Sequence, residues 1–204
     1  MPTPFDALPQ IGVSHAQIED YLAYRDNLHG NPQRWVPVEG LWCLEVAFKL
    51  GLKIRAGFIC PELLKSPEYT RTAEKLMNSA ACFRLSEKVF DKISDRDGPS
   101  GIAALVQSTT WGDDLAKIAN AKRIVVMDAV EIPGNVGTIL RTLDGLGEAA
   151  LVLTNRRVRL THPKVVKGSL GALFSVPIIE SSLEDVGAFV AKHKIPFIIA
   201  DSNG

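Results

Sequence analysis

From Arg123 onward, short uninterrupted apolar runs alternate with stretches of helix length, and this alternation limits the fold more than any other feature of the chain. The expected order is strand 124–130, helix 135–146, strand 150–153, helix 163–174, strand 176–179, helix 183–193 and strand 197–201. Strands that read as continuous apolar runs are buried on both faces, and strands separated by helices pair in parallel. The expected architecture is therefore a parallel sheet with helices on both sides, whose ligands lie beyond the carboxyl ends of the strands.

The first half follows another pattern. Ser14 opens a short helix that His29-Gly30 should end. After Asn31-Pro32, strand-like runs at 35–38, 54–60, 82–85 and 101–106 enclose helices at 41–50, 61–80 and 86–93, a second α/β unit. The turn-rich segment Ser108-Thr109-Thr110-Trp111-Gly112-Asp113-Asp114 separates the two. The expected organisation is an N-terminal unit 1–107, a linker 108–121 and a C-terminal unit 122–204. Trp35 and Trp42 are expected in the core, because large aromatics are mostly buried.

Composition excludes several classes. Lysine plus arginine equal aspartate plus glutamate at 23 each, so a polyanion must be met by a local patch and not by net charge. Three widely spaced cysteines fit neither a disulfide framework nor a Cys-x-x-Cys metal or redox pair, which favours a reducing cytoplasm. No apolar run approaches the length of a membrane span.

Two stretches carry chemistry. In Glu131-Ile132-Pro133-Gly134-Asn135-Val136-Gly137, glycines and a turn-forming asparagine join a strand to a helix at a spacing unlike the dinucleotide fingerprint. In that helix Val136, Ile139, Leu140, Leu143 and Leu146 form an apolar stripe, while Thr138, Arg141, Thr142 and Gly145 recur on another face. Arg141 is either a ligand-facing cation or a surface arginine paired with Asp144 or Glu148. In the second stretch, Thr161 and Pro163 start a helix, with Val166, Leu170, Leu173 and Phe174 toward the core and Lys164, Lys167, Gly168 and Gly171 on another face. Between Ala149 and Ile179 the positive residues Arg156, Arg157, Arg159, Lys164 and Lys167 meet no acidic residue. That is a footprint for RNA or, on the plainer reading, a solvated basic face.

Asn135-Val136-Gly137-Thr138-Ile139-Leu140-Arg141-Thr142 resembles the first signature motif of the SpoU RNA methyltransferases, Asn-x-Gly-x-Ile-x-Arg-Thr. Lys167-Gly168-Ser169-Leu170-Gly171-Ala172 is similar to the second, Arg-Ala-Ser-x-Gly-Ala, with lysine at the arginine position and Gly168 at the alanine position. More loosely, Arg34 to Val106 resembles the ribosomal-protein-like substrate-binding domain often joined to SpoU domains. The resemblance implies a SPOUT-type C-terminal domain and transfer of a methyl group from S-adenosylmethionine to a ribose 2'-hydroxyl of structured rRNA or tRNA. It implies Asn135 and Arg141 as the catalytic pair and sets Lys167 and Ser169 in the second motif; with the local charge of Arg156, Arg157, Arg159 and Lys164, these are the residues expected on the RNA. It also implies a homodimer and no metal. The family's third motif, which closes the trefoil knot and supplies most cofactor contacts, has no counterpart up to Gly204. The expected knot is therefore incomplete and the cofactor residues stay unassigned. A catalytically inactive RNA-binding remnant of the same family is the alternative.

Overall fold

Strand parity organises both halves of the molecule, a computed structural model that describes residues 3–28, 30–95 and 98–200. The N-terminal half contains α1 (Ala16–Asp26), β1 (Trp35–Glu39), α2 (Leu41–Lys49), β2 (Ile54–Ile59), α3 (Pro67–Met77), β3 (Cys82–Arg84), α4 (Glu87–Ile93) and β4 (Ile102–Gln107). Its sheet has the order β1-β4-β2-β3, with β4 antiparallel to both neighbours and β2 parallel to β3. Ala56, Phe58, Ala103 and Leu105 point to one face and pack on Ile18 and Tyr21 of α1 and Phe90 and Ile93 of α4. Val36, Val38, Ala104 and Val106 point to the other and join Cys43, Leu44 and Ala47 of α2.

The C-terminal half contains β5 (Trp111–Gly112), β6 (Arg123–Asp128), α5 (Pro133–Leu146), β7 (Ala149–Thr154), α6 (Pro163–Ser169), β8 (Ile178–Glu180) and α7 (Leu183–His193). Its sheet, β5-β8-β7-β6, is parallel throughout, as the alternation required. Leu151 and Leu153 of β7 face α5 and α6, whereas Ala150 and Val152 face Val186 and Phe189 of α7. The first of these faces is continuous with the core of the N-terminal half: Cys43 and Leu44 share one cluster with Val166, Leu173 and Phe174. Burial of that seam makes the two halves one packed body.

Several expectations are corrected. The 61–80 helix is a short 3-10 turn, Pro61–Leu63, followed by α3, because Pro67 occupies the first position of a new helix. The 163–174 helix stops at Ser169, since Leu170 and Gly171 adopt left-handed backbone (φ 50° and 96°), and a 3-10 turn, Ala172–Phe174, follows. Helix α1 is capped by His15, whose Nδ1 accepts from Gln17 N, and it ends at a left-handed Asn27; His29 lies outside the described residues. The stretch 108–121 is woven into the second sheet: β5 pairs with β8, and the Thr110 hydroxyl donates to Leu173 O at 2.9 Å. Residues 197–200 form no strand; Phe197, Ile198 and Ile199 are exposed, and Asp201 lies outside the described residues. Leu146 and Leu170 point outward instead of into the core. Trp35 is buried as expected, but Trp42 is not. Helix α2 turns Cys43, Leu44 and Ala47 inward, which places Trp42 on the opposite face.

Candidate nucleic-acid interface

The carboxyl ends of β6 and β7 are locked together. Asp128 Oδ1 accepts from Thr154 Oγ1 and Asn155 Nδ2, both at 2.8 Å, and Ala129 N donates to Thr154 O at 3.0 Å. Ala129 and Asn155 take left-handed backbone (φ 48° and 45°) to make these turns. Sequence reading passed over Asp128, Thr154 and Asn155. Their signal was present, namely polar residues ending two adjacent parallel strands, but the register that pairs Asp128 with Thr154 belongs to the sheet.

Helix α5 leaves this edge with Pro133 at its start, where the missing N–H costs little. Val136, Leu140 and Leu143 are buried, which turns Asn135, Thr138, Arg141 and Thr142 to solvent. Asn135 and Arg141 stand about 9 Å apart along the axis, at 1.5 Å per residue. The acids that could have claimed Arg141 are engaged elsewhere: Asp144 accepts from the Ser175 hydroxyl, and Glu148 accepts from Lys122 Nζ at 2.6 Å. Among the described residues, Arg141 has no ion-pair or hydrogen-bond partner. Its surface-pair reading is thereby removed.

Glycines let the two motif helices touch. A Cβ on Gly137 would lie 2.8 Å from Val165 O and 3.0 Å from Gly168 Cα, so α5 and α6 meet backbone to backbone. One on Gly168 would find its nearest atom at 3.5 Å, an ordinary contact. The Asn135–Arg141 ridge and the lysines of α6 are thus carried on one rigid pair of helices.

The basic residues fall into two groups. Arg156 donates from Nε to Glu180 Oε2 at 2.8 Å and from Nη1 to Val158 O at 3.1 Å. Glu180 Oε1 also accepts from Trp111 Nε1 at 2.7 Å, and the Arg34 guanidinium sits 4.7 Å above the Trp111 ring. A half-exposed pair of this kind adds at most about 1 kcal/mol, so its effect is to orient the loop. Arg157 beside it is exposed. The second group is at the seam. Arg159 donates from Nη1 to Asp26 O at 3.4 Å, and its buried Nε has no acceptor among the described residues. Lys164 and Lys167 are exposed and line a cleft of about 140 Å³ whose far wall includes Tyr21, Pro37, Glu39 and Asp95. His162 caps α6, its Nδ1 accepting from Lys164 N at 3.1 Å. Burial, then the neighbouring Arg159, hold its pKa below the usual histidine range.

Ser169 does not join either group. It is buried, and its hydroxyl donates to Val166 O at 2.9 Å inside its own helix. The fold uses it as an internal tie, contrary to the expectation of an RNA contact.

Residues 122–204 match the SpoU rRNA Methylase family, and residues 30–104 match the MRM3-like substrate binding domain. The C-terminal half is thus a SpoU methylase domain. Relatives in that family include the 23S rRNA (guanosine(2553)-2'-O)-methyltransferase of Bacillus subtilis, 30% identical over 64% of this chain and 54% of that protein. They also include the 23S rRNA (uridine(2479)-2'-O)-methyltransferase of Streptomyces viridochromogenes, 31% identical over 58% of this chain and 38% of the other. The chain thus spans about half the length, or less, of the curated SpoU relatives it matches. Among solved structures, an RNA 2'-O ribose methyltransferase superposes with a TM-score of 0.71 at 25% identity, covering 93% of this chain and 71% of that one. An AdoMet-bound rRNA methyltransferase from Sinorhizobium meliloti shares the fold, with a TM-score of 0.73 at 22% identity, covering 90% and 69%. Both halves of this chain therefore lie within a fold already seen in one piece.

Proposed function

We propose that this chain carries the ribose-facing part of an RNA 2'-O-methyltransferase. The observation that carries the reading is Arg141, an exposed guanidinium on the first-motif helix with no ion-pair partner among the described residues, Asp144 and Glu148 being engaged elsewhere. An arginine stays protonated at any working pH, so it acts as a fork of donors and not as a base. On this reading Arg141 holds the 2'-oxygen and an adjoining phosphate, Asn135 orients the ribose, and the hydroxyl proton passes to the phosphate. Arg156, Arg157, Arg159, Lys164 and Lys167 neutralise the RNA backbone. Residues 1–107 select the structured rRNA or tRNA, and residues 122–204 present the ribose to the donor. The working form is a cytoplasmic homodimer. Among the described residues no helix is long and apolar enough to cross a membrane.

The donor on this reading is S-adenosylmethionine, which supplies an activated methyl group when bound. A ligand of that size occupies a pocket of about 300 Å³ or more. Beyond β6 and β7 the described residues Met127, Val130, Leu153 and Val158 enclose about 10 Å³. They do not fit the donor by themselves, and nothing in the roles given above to Asn135 or Arg141 depends on where it binds.

Transfer of labelled methyl from S-adenosylmethionine to RNA, followed by alkaline hydrolysis, tests the reading. A 2'-O-methyl group leaves its phosphodiester resistant to alkali; label in a base overturns the assignment. The basic residues have their own test. Replacing Arg156, Arg157 and Arg159 together by alanine should lower RNA affinity and reduce the slope of log affinity against log salt by about two to three, near one per lost phosphate contact. An unchanged slope removes these residues from the RNA surface.

A further inference from the structure

Across the seam cleft, helix α6 and the N-terminal half present opposite charges that do not meet. Asp95 lines one wall, Lys164 and Lys167 the other, yet none of the three side chains has a hydrogen bond or ion pair among the described residues. They act on a common neighbour all the same. The His162 imidazole, which burial and then Arg159 hold below its usual range, is pushed up by Asp95 and down by Lys164. Opposite charges set beyond ion-pair reach across one cleft are complementary to a ligand with hydrogen-bond donors at one end and an anion at the other.

The wall that carries Asp95 is held in place. Glu39, the other acid of the cleft, accepts from Ser94 Oγ and from Ser100 N, both at 2.9 Å, so its two oxygens are already engaged in tying that loop to β1. Arg25 also secures it, donating to Ile93 O at 3.2 Å while Asp26 accepts from its Nε at 2.9 Å. Between the charges the lining is apolar, from Tyr21, Pro37, Ile93, Pro163 and Val166. The cleft of about 140 Å³ admits one base, and not the whole of a larger ligand, which fills about 300 Å³ or more. Whatever else the base is attached to must stay outside, where the exposed lysines are.

We propose that the seam cleft takes one splayed-out guanine of the RNA, its Watson–Crick edge on Asp95 and its flanking phosphates on Lys164 and Lys167. The inference rests on the RNA reading above and deepens it by assigning a base. No described residue of α5 lines the cleft, so this site is separate from the ribose site assigned to Arg141. A carboxylate only accepts hydrogen bonds. Guanine offers it two adjacent N–H donors on one edge, whereas uracil sets a carbonyl on each side of its single donor. Unpaired RNA is read in this way, by unstacked bases that are bonded on their edges while cations meet the backbone.

Filter binding of a single-stranded uridine hexamer, and of the same hexamer with one internal guanosine, tests this. The wild type should prefer the guanosine hexamer about tenfold, within the range for one bidentate pair. Asp95→Asn, at an exposed position, should erase the preference yet bind the uridine hexamer at least as well, because a negative charge is gone. Lys164→Ala with Lys167→Ala should weaken both hexamers and keep their ratio, with the slope of log affinity against log salt lower by about 1.4, at ~0.7 per phosphate contact on a single strand. Equal binding of the two hexamers by the wild type, or a preference that survives Asp95→Asn, overturns the guanine site and spares the RNA reading. Binding of a stem-loop RNA but of neither hexamer does the same. A wild-type chain that binds none of the three RNAs sinks both.

Discussion

Replacing Arg141 by alanine should leave the fold intact and lower single-turnover methyl transfer by about 100- to 1,000-fold, the usual cost of one charged or dipolar donor aimed at the reacting oxygen. The fold survives because Arg141 is exposed and holds no other group, whereas its neighbours Leu140 and Leu143 carry the packing of α5. The loss falls on transfer because the partners assigned to the guanidinium are the ribose oxygen and a phosphate, present only with RNA. Lysine should rescue poorly, since a point charge cannot span both groups as a planar fork does. The measurement is transfer from labelled donor to RNA under single-turnover conditions. Near wild-type transfer by Arg141→Ala would make this arginine incidental.

Opposite effects are expected from the same substitution at the two glycines where α5 meets α6. Gly137→Ala puts a methyl group 2.8 Å from Val165 O and 3.0 Å from Gly168 Cα, backbone atoms that cannot rotate away. The helices must separate, at a cost of about 1–3 kcal/mol. A chain of this size should then melt roughly 2–12 °C lower, at about 2–4 °C per kcal/mol. Gly168→Ala meets nothing nearer than 3.5 Å and removes a glycine from a helix, which favours folding by up to about 1 kcal/mol. Its melting temperature should hold or rise slightly. Thermal melts followed by circular dichroism separate the two. Similar gains in both variants would mean that helix propensity, and not contact between the backbones, governs this pair. Because the ridge of Asn135 and Arg141 rides on α5, Gly137→Ala should also depress transfer more than its melting temperature alone explains.

Local pattern was enough for much of this molecule. Continuous apolar runs such as 149–154 meet water on neither face, and with helices between them the parallel pairing of β6, β7 and β8 follows from chain direction alone. Helical spacing also sufficed to turn Asn135 and Arg141 outward, because Val136, Leu140 and Leu143 take the buried side whatever the partner. The two motifs were visible for the same reason: each is a local stretch with its residues at fixed intervals.

What the sequence left undecided depended on neighbours far away in the chain. Whether Arg141 was paired turned on Ser175 and Lys122, which occupy Asp144 and Glu148 from other elements. Ser169 looked like a polar residue on offer, yet α6 packs that position inward and its hydroxyl turns to Val166 O. The basic residues from Arg156 to Lys167 read as one patch until Glu180 took Arg156 and the N-terminal half drew Arg159, Lys164 and Lys167 to the seam, apart from Arg156 and Arg157. Trp42 was expected inside because residue type predicts average burial, but exposure is settled by which face of α2 meets α6. Periodicity determines which side of an element is apolar; only the packed structure decides what lies opposite the other side.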